Sequence, residues 1–507
     1  MSRHHILLTL AVVLLALLSC RQAQVPGQYR QLSTAPKIYP DYIGVTIPVN
    51  MAPLCFELMT AADDAVTRYT CGDRELVCGG LKVRPELDEW KALTASASGK
   101  SIRVEVFAEK DGQWVGFKPF DIYVSPDSID PWMSYRLISP SFVSYEELSI
   151  NQRCLENFDE RIIVDNMLCS TEAGGQCINC HSYQQYNPER MQFHARQTCG
   201  GTVISYDGKL WKVDMQHDSL LSAGVYPAWH PTEHLIAYST NKTMQSFHTA
   251  DANKIEVLDS ESDLILLDID ANSISTIEQQ PHELEIFPAW SPDGRELYFC
   301  SAHFEYRNDS VDLEEITLRA QELKYNIYRK SFDPKTRRFG PRQTVFRADS
   351  LVTPTDSLGL SATLPRISPD GRWLLFTVGQ WGCFHIWHHD ADLWLMDLAS
   401  GEARPLEACN SDDTESYHSW SSNGRWIVFS SRRNDGVFTR PFIAHIDAEG
   451  HAAKPFELPT ADPDRHRQLL KSYNVPELMH GPVSLTPRQA AQALKSDGRP
   501  VGYATRR

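Results

Sequence analysis

Read as a pattern of apolar and polar positions, the chain falls into four stretches. Residues 6–18 form an apolar run of 13, interrupted only by Thr9, and residues 21–36 (RQAQVPGQYRQLSTAP) are polar with no hydrophobic period. From 37 to about 125, short apolar runs (YIGVTIPV, LCFELM, SIRVEVFAE, WVGFKPFDIYV) alternate with turn residues. They are rich in Val, Ile, Phe and Tyr and broken by Pro, Gly and Asp, so the spacing predicts a small all-β sandwich over 37–130. Over 131–199 the pattern changes. Ser144 stands as an N-cap before Glu146 and Glu147, with Leu148, Leu155 and Phe158 at near-helical intervals, which predicts a helical linker.

From residue 200 the pattern repeats. YPAWHPTEHLIAYST (226–240), FPAWSPDGRELYFCSA (287–302), LPRISPDGRWLLFTVG (364–379) and YHSWSSNGRWIVFSS (417–431) align residue for residue, and each is followed by a second phrase of alternating apolar positions. In one unit a strand ends at Trp or Ile, Ser-Pro-Asp-Gly makes a tight turn, a strand returns and an outer hairpin follows. A single four-stranded sheet of this kind cannot bury both faces, so copies must pack radially, as in a β-propeller over 200–462. GGTVISYDGKLWKVD (200–214) reads as part of another unit. Spacings of 61, 77 and 53 residues, from Pro227 to Pro288 to Pro365 to His418, exceed a lean blade of about 40 to 45. Loops are therefore inserted around 303–326 and 379–390, and five to seven blades are expected, with six favoured. The tail, 463–507, ends in a short helix with Thr486 as cap, Pro487 in the first turn and Gln489 at the capping-box position.

The length of 507 residues is too great for one core, and 65 acidic against 49 basic residues, a net charge of -16, argues against nucleic-acid binding. The apolar run 6–18 is shorter than the roughly 20 residues of a membrane span and reads as the core of a signal peptide over 1–20. Its end, Leu17-Leu18-Ser19-Cys20, resembles a bacterial lipobox. That resemblance implies lipid on Cys20, residues 21–36 as a tether, and a lipid-anchored protein of the bacterial envelope; it leaves the membrane face open, with the periplasm-facing side favoured.

One short run proposes a cofactor. Cys177-Ile178-Asn179-Cys180-His181 has the Cys-x-x-Cys-His spacing of haem c attachment, with two thioethers to one porphyrin and the histidine as proximal iron ligand. His194 and Met191, 13 and 10 residues beyond His181, are the nearest candidates for the other axial position. A zinc site would need further ligands at finger spacing, which are absent nearby, and a thioredoxin-like use would need a βαβ context. Export favours disulfides among the other cysteines. Cys71 with Cys78 is the best local pair, and Cys169 with Cys199 a second. The run Cys383-Phe384-His385-Ile386-Trp387-His388-His389-Asp390, and the pair His230 and His234, read as satisfied histidines in loops rather than metal sites. Read as a strand, the first run sends His385 and Trp387 to one face and His388 to the other.

The repeated phrases resemble those of TolB-type propellers, most closely in the Ser-Pro-Asp-Gly-Arg copies at Ser291 and Ser368. With the lipobox and the haem motif, they resemble a type of envelope lipoprotein that combines the three. That resemblance implies a partner-binding propeller and no catalysis. The leading expectation is thus a membrane-anchored protein with one covalent haem c, for electron transfer or redox sensing, whose propeller docks an envelope protein. The alternative is a haemless scaffold with Cys177–Cys180 as a disulfide; a haem enzyme at an open iron is a third. No Gly-x-Ser-x-Gly elbow is present for a peptidase.

Overall fold

A computed structural model describes residues 23–140, 145, 147–170, 175–251, 253–308, 310–352 and 357–504. The signal peptide, the lipobox with Cys20, Ser144 and Glu146 lie outside these residues. The fold is mainly β and divides into two compact units, one of residues 1–126 with 459–465, the other of 127–458 with 466–507. Among the described residues no helix is long and apolar enough to cross a membrane.

The first unit contains a seven-stranded sheet and a three-stranded sheet. It also carries a helix, Leu87–Ser96, absent from the strand pattern and capped by the Glu86 side chain, which buries Trp90 and Leu93. The expected Cys71–Cys78 disulfide is not formed. The hairpin Asp64–Cys71/Arg74–Gly79 sets Cys71 opposite Arg74 and Cys78 opposite Thr67. The two cysteines are thus four residues apart along the ladder, about 13 Å at strand rise, whereas a disulfide needs Cα atoms within about 7 Å.

The second unit consists of six four-stranded antiparallel meanders. Their first strands are Ile178–Tyr183, Val225–Trp229, Glu283–Trp290, Ser361–Ile367, Glu415–Trp420 and Ser472–Met479. The first strands touch in that order, and the last touches the first. Four of them are the phrases that repeat in the sequence. The other two change the expected boundaries. The supposed helical linker is instead three strands, Trp132–Ile138, Ser149–Cys154 and Glu160–Asp165, whose meander is completed by the C-terminal strand Ser472–Met479. Leu148 and Leu155 are buried at the two ends of the strand Ser149–Cys154, which is itself buried at nearly every residue, so no alternation marks it as a strand. The haem motif likewise lies on a strand, at the start of the meander that includes the 200–214 hairpin.

The repeated phrases have a clear physical use. In the turns, Ser291 Oγ lies 2.7 Å from Asp293 and accepts the Glu296 amide, while Gly294 takes φ +68°. Ser368 and Ser421 repeat this with Asp370 and Asn423. At the strand ends each indole N–H donates to the backbone of the preceding meander. Trp229 reaches Ser182 O at 3.3 Å, Trp290 reaches Ala228 O at 3.1 Å and Trp420 reaches Arg366 O at 3.1 Å. The C-terminal helix Pro487–Lys495 has the expected capping box and buries Ala490, Ala491, Ala493 and Leu494 against strand Glu160–Asp165 and its neighbours.

Candidate functional site

Each of the six first strands is broken by a bulge at one equivalent residue: Cys180, Tyr226, Phe287, Leu364, Tyr417 and Val475, all with φ between +46° and +55°. The ladder to the second strand shifts register at each of them. A non-glycine residue at positive φ costs on the order of 1–3 kcal/mol, and bulges of this kind re-aim side chains next to sites. All six residues line one cavity of about 240 Å³. Cys177 and His181 line it too. Three residues apart in a regular strand, Cys177 and Cys180 would face opposite ways; the bulge at Cys180 turns both thiols onto the same space.

The two cysteines and the histidine are 3, 6 and 2% exposed. Burial raises both thiol pKa values, with Arg136 and Arg196 opposing, so the sulfurs are protonated and poor in thiolate. Burial, aided by Arg136, lowers His181 to about 3, which leaves the ring neutral. Backbone groups of Val475 and Ser134 lie close enough to favour its charged form slightly, but neither ring nitrogen closes a hydrogen bond of normal geometry. The rest of the wall combines rings (Tyr145, Phe384), Met244, and the charges of Arg136, Arg196, Arg366 and Glu477. A second chamber of about 160 Å³ shares Ser182, Pro227, Arg366 and Glu477 with the first and is lined by Trp229, Trp290 and Trp420.

The expected axial candidates are elsewhere. Met191 and His194 lie on the next strand, Arg190–Ala195, and neither lines the cavity. His194 Nδ1 sits 3.0 Å from Thr202 Oγ1, and burial holds its pKa at about 3. Met191 packs in the apolar cluster with Ile178 and Phe193. Met244, which pattern reading did not single out, is the methionine on the cavity wall. Of the second cysteine pair, Cys199 Sγ is 3.6 Å from the Cys169 carbonyl and both side chains are buried, but no disulfide joins them.

The run from Cys383 to Asp390 is not a strand but a short 3-10 turn at His385–Trp387, so its residues do not alternate between faces. Its histidines have partners: His385 Nδ1 lies 2.8 Å from Thr363 Oγ1, His388 Nε2 2.7 Å from Glu256 and His389 Nδ1 3.2 Å from Asp413. His230 accepts the amides of Thr232 and Glu233, and His234 lies 2.9 Å from Asp270. Among the described residues no group of three or more His, Cys, Asp or Glu is disposed to hold a bare metal ion.

The lining includes the residue types a haem c would need, two thiols and a neutral imidazole facing one space. The space itself is tight. Small-molecule sites commonly measure about 300–1,000 Å³, so a porphyrin is seated here only if the walls yield.

The comparisons add little. No family model matches the chain, and no curated protein matches it. A solved structure, that of an ancestral GH74 enzyme, is similar over 86% of this chain and 64% of its own, at 8% identity and TM-score 0.30. The chain thus spans less than two thirds of that enzyme's length, and a likeness of this degree carries no functional argument.

Proposed function

We propose that the second unit is a six-bladed propeller whose axial cavity holds one covalent haem c, and that the protein serves electron transfer or redox sensing. Six meanders whose first strands touch in a closed order support the blade count. Cys177 and Cys180 would form the thioethers and His181 would be the proximal ligand. The bound group would supply a one-electron couple; the chain's part is to hold it, exclude water and set its electrostatics.

The observation that carries the reading is His181 compared with its equivalents. The residue after the bulge is Pro227, Pro288, Pro365 or Pro476 in four blades and His418 in a fifth. His418 has partners, with Nε2 3.2 Å from Leu375 O. His181 has none of normal geometry, although proline suffices for the strand. Burying an imidazole without partners costs about 1–3 kcal/mol, a cost that ligation of the ring would offset.

A second reading rests on the same alignment. Cys180-His181-Ser182-Tyr183 is a copy of Tyr417-His418-Ser419-Trp420, so half of the haem motif is also blade sequence. This supports a haemless interaction scaffold with Cys177–Cys180 as a disulfide. In both readings the protein is lipid-anchored through Cys20 in the bacterial envelope, facing the periplasm, with the propeller docking an envelope protein.

The test is expression with export in a host that matures haem c, beside the Cys177→Ala/Cys180→Ala variant. A reduced α-band and a haem stain that persists through denaturing electrophoresis, both lost in the variant, are expected. A colourless wild-type chain sinks the haem reading. Alkylation before and after reduction, read by mass, then decides whether Cys177 and Cys180 are paired.

A further inference from the structure

With Cys177, Cys180 and His181 given to thioethers and a proximal bond, few groups on the cavity wall are chemically suited to the far side of an iron. Burial raises the pKa values of Tyr145, Tyr226 and Tyr417 alike, so these stay phenols and supply no phenolate. Glu477 Oε1 is engaged by Arg366 Nη2 at 3.2 Å. Among the described residues of the wall, Met244 is the one thioether. A thioether carries neither charge nor proton, so it can ligate in a buried space without the desolvation cost that an anionic ligand meets.

The backbone aims this side chain inward. In the strand Leu235–Phe247 the ladder shifts register between Lys242 and Thr243, and Met244 stands opposite the buried Leu258. Thr243, Met244 and Gln245 all line the cavity, where a regular strand would send the middle one of three to the other face. The sulfur keeps its lone pairs for a ligand: Thr317 Oγ1 approaches Sδ at 3.7 Å, but the single hydroxyl proton is better placed on Leu313 O, at 2.7 Å. The placement relative to His181 also suits a pair of axial ligands. The six first strands touch in a closed ring, in which the third and sixth meanders stand opposite one another. His181 lies beside backbone groups of Ser134 and Val475, both of the sixth, whereas Met244, from the second, has its sulfur against Thr317 in the insertion of the third. The two side chains thus reach the cavity from different sides.

We infer that Met244 is the second axial ligand of the haem iron, through Sδ. The inference deepens the haem reading and rests on it. His181 and Met244 would each contribute a lone pair and release no proton, and together they leave no position for oxygen or peroxide, which selects electron transfer over an open-iron enzyme. Sulfur ligation also raises the reduction potential relative to two histidines.

The test uses the full chain exported in a host that matures haem c, beside Met244→Leu, which keeps the bulk of the side chain, Met244→His, and Met191→Leu in the neighbouring apolar cluster. The oxidised parent is expected to show the weak far-red charge-transfer band of a sulfur–iron bond, and the reduced parent a methionine methyl resonance shifted upfield by the porphyrin ring current. Both signals should vanish in Met244→Leu and persist in Met191→Leu, with covalent haem stain retained in each. Met244→His should lack the band and titrate at a lower potential than the parent. Signals that survive in Met244→Leu, that are lost in Met191→Leu instead, or that are missing from a haem-stained parent overturn the inference and leave the haem reading intact. A parent without haem stain overturns both.

Discussion

His181 shows how much one residue can separate structure from function in a repeat. Four equivalent positions carry proline, so His181→Pro should fold with a Tm within about 3 °C of the parent, whereas a purely structural histidine would cost about 1 kcal/mol or more. On the haem reading, the same variant loses the α-band that the parent is expected to show. A large loss of stability would mean that the ring is used by the fold. His194 supplies a pH prediction independent of the ligand. Its folded pKa is lowered to about 3 from an ordinary 6.5, so the unfolded chain binds the extra proton between these values. Its contribution is complete above pH 6.5 and is lost as the pH falls toward 3, at up to about 1.4 kcal/mol per unit. Urea midpoints between pH 6.5 and 4 should therefore fall less steeply in His194→Asn than in the parent. Glu285 has the opposite sign. Burial, with Asp263 and Glu278 nearby, raises it to about 9, so the folded state holds a proton that the unfolded chain releases above about 4.5. Stability is thus lost as pH rises through that window, and Glu285→Gln should gain on the parent from pH 5 to 8; parallel curves would sink the assignment.

The strand ends carry the next prediction. Trp290 joins its meander to the preceding one through the bond from Nε1 to Ala228 O, 3.1 Å long and buried. Trp290→Phe keeps a ring but leaves that carbonyl without its donor, and should cost about 1–3 kcal/mol in urea unfolding. At the equivalent position Ile367 makes no such bond, and its replacement by Val should cost less. A cost below 0.5 kcal/mol for Trp290→Phe would show that the indole serves only as bulk. This is also the scale at which sequence and structure agree best. The Trp and Ser-Pro-Asp-Gly signals are local, so four meanders could be read directly. The remaining two could not, for identifiable reasons. Cys180-His181-Ser182-Tyr183 matches Tyr417-His418-Ser419-Trp420, but the cysteine spacing draws attention to a cofactor before the repeat is seen. Asn474-Val475-Pro476-Glu477-Leu478 has the bulge-proline of the other copies, yet it lies beyond the hairpins that would flag it. The site was half legible for the same reason: Cys177, Cys180 and His181 are contiguous, whereas Arg136, Arg196 and Met244 meet them only through long-range pairing.

At the scale of the whole molecule, the decisive element is that C-terminal strand. Ser472–Met479 pairs with Trp132–Ile138, some 340 residues earlier, with Asn474 opposite Arg136. Ser419 Oγ adds a bond of 2.9 Å to Pro476 O, and Glu477 holds Arg366 across the cavity. The chain therefore fastens its last meander to the start of the second unit, and every meander between depends on that closure. Ending the chain after Lys471 removes one inner strand, leaves the edge of Trp132–Ile138 unpaired and opens the cavity on the side of Val475. The first unit keeps both its segments, 1–126 and 459–465, in such a chain. The expected result is loss of the cooperative transition of the second unit and rapid proteolysis between 127 and 458, with a separate transition of the first unit retained. Ending the chain after Met479 removes the helix Pro487–Lys495 but keeps the closing strand, and should lower the midpoint without abolishing the transition. Equal behaviour of the two truncations would place the closure elsewhere. Ring closure through so distant a pair also carries the loop-entropy cost of a non-local contact, so refolding of the second unit should be slower than that of the first, and a synthetic 472–479 peptide should restore part of the lost transition in the shorter chain.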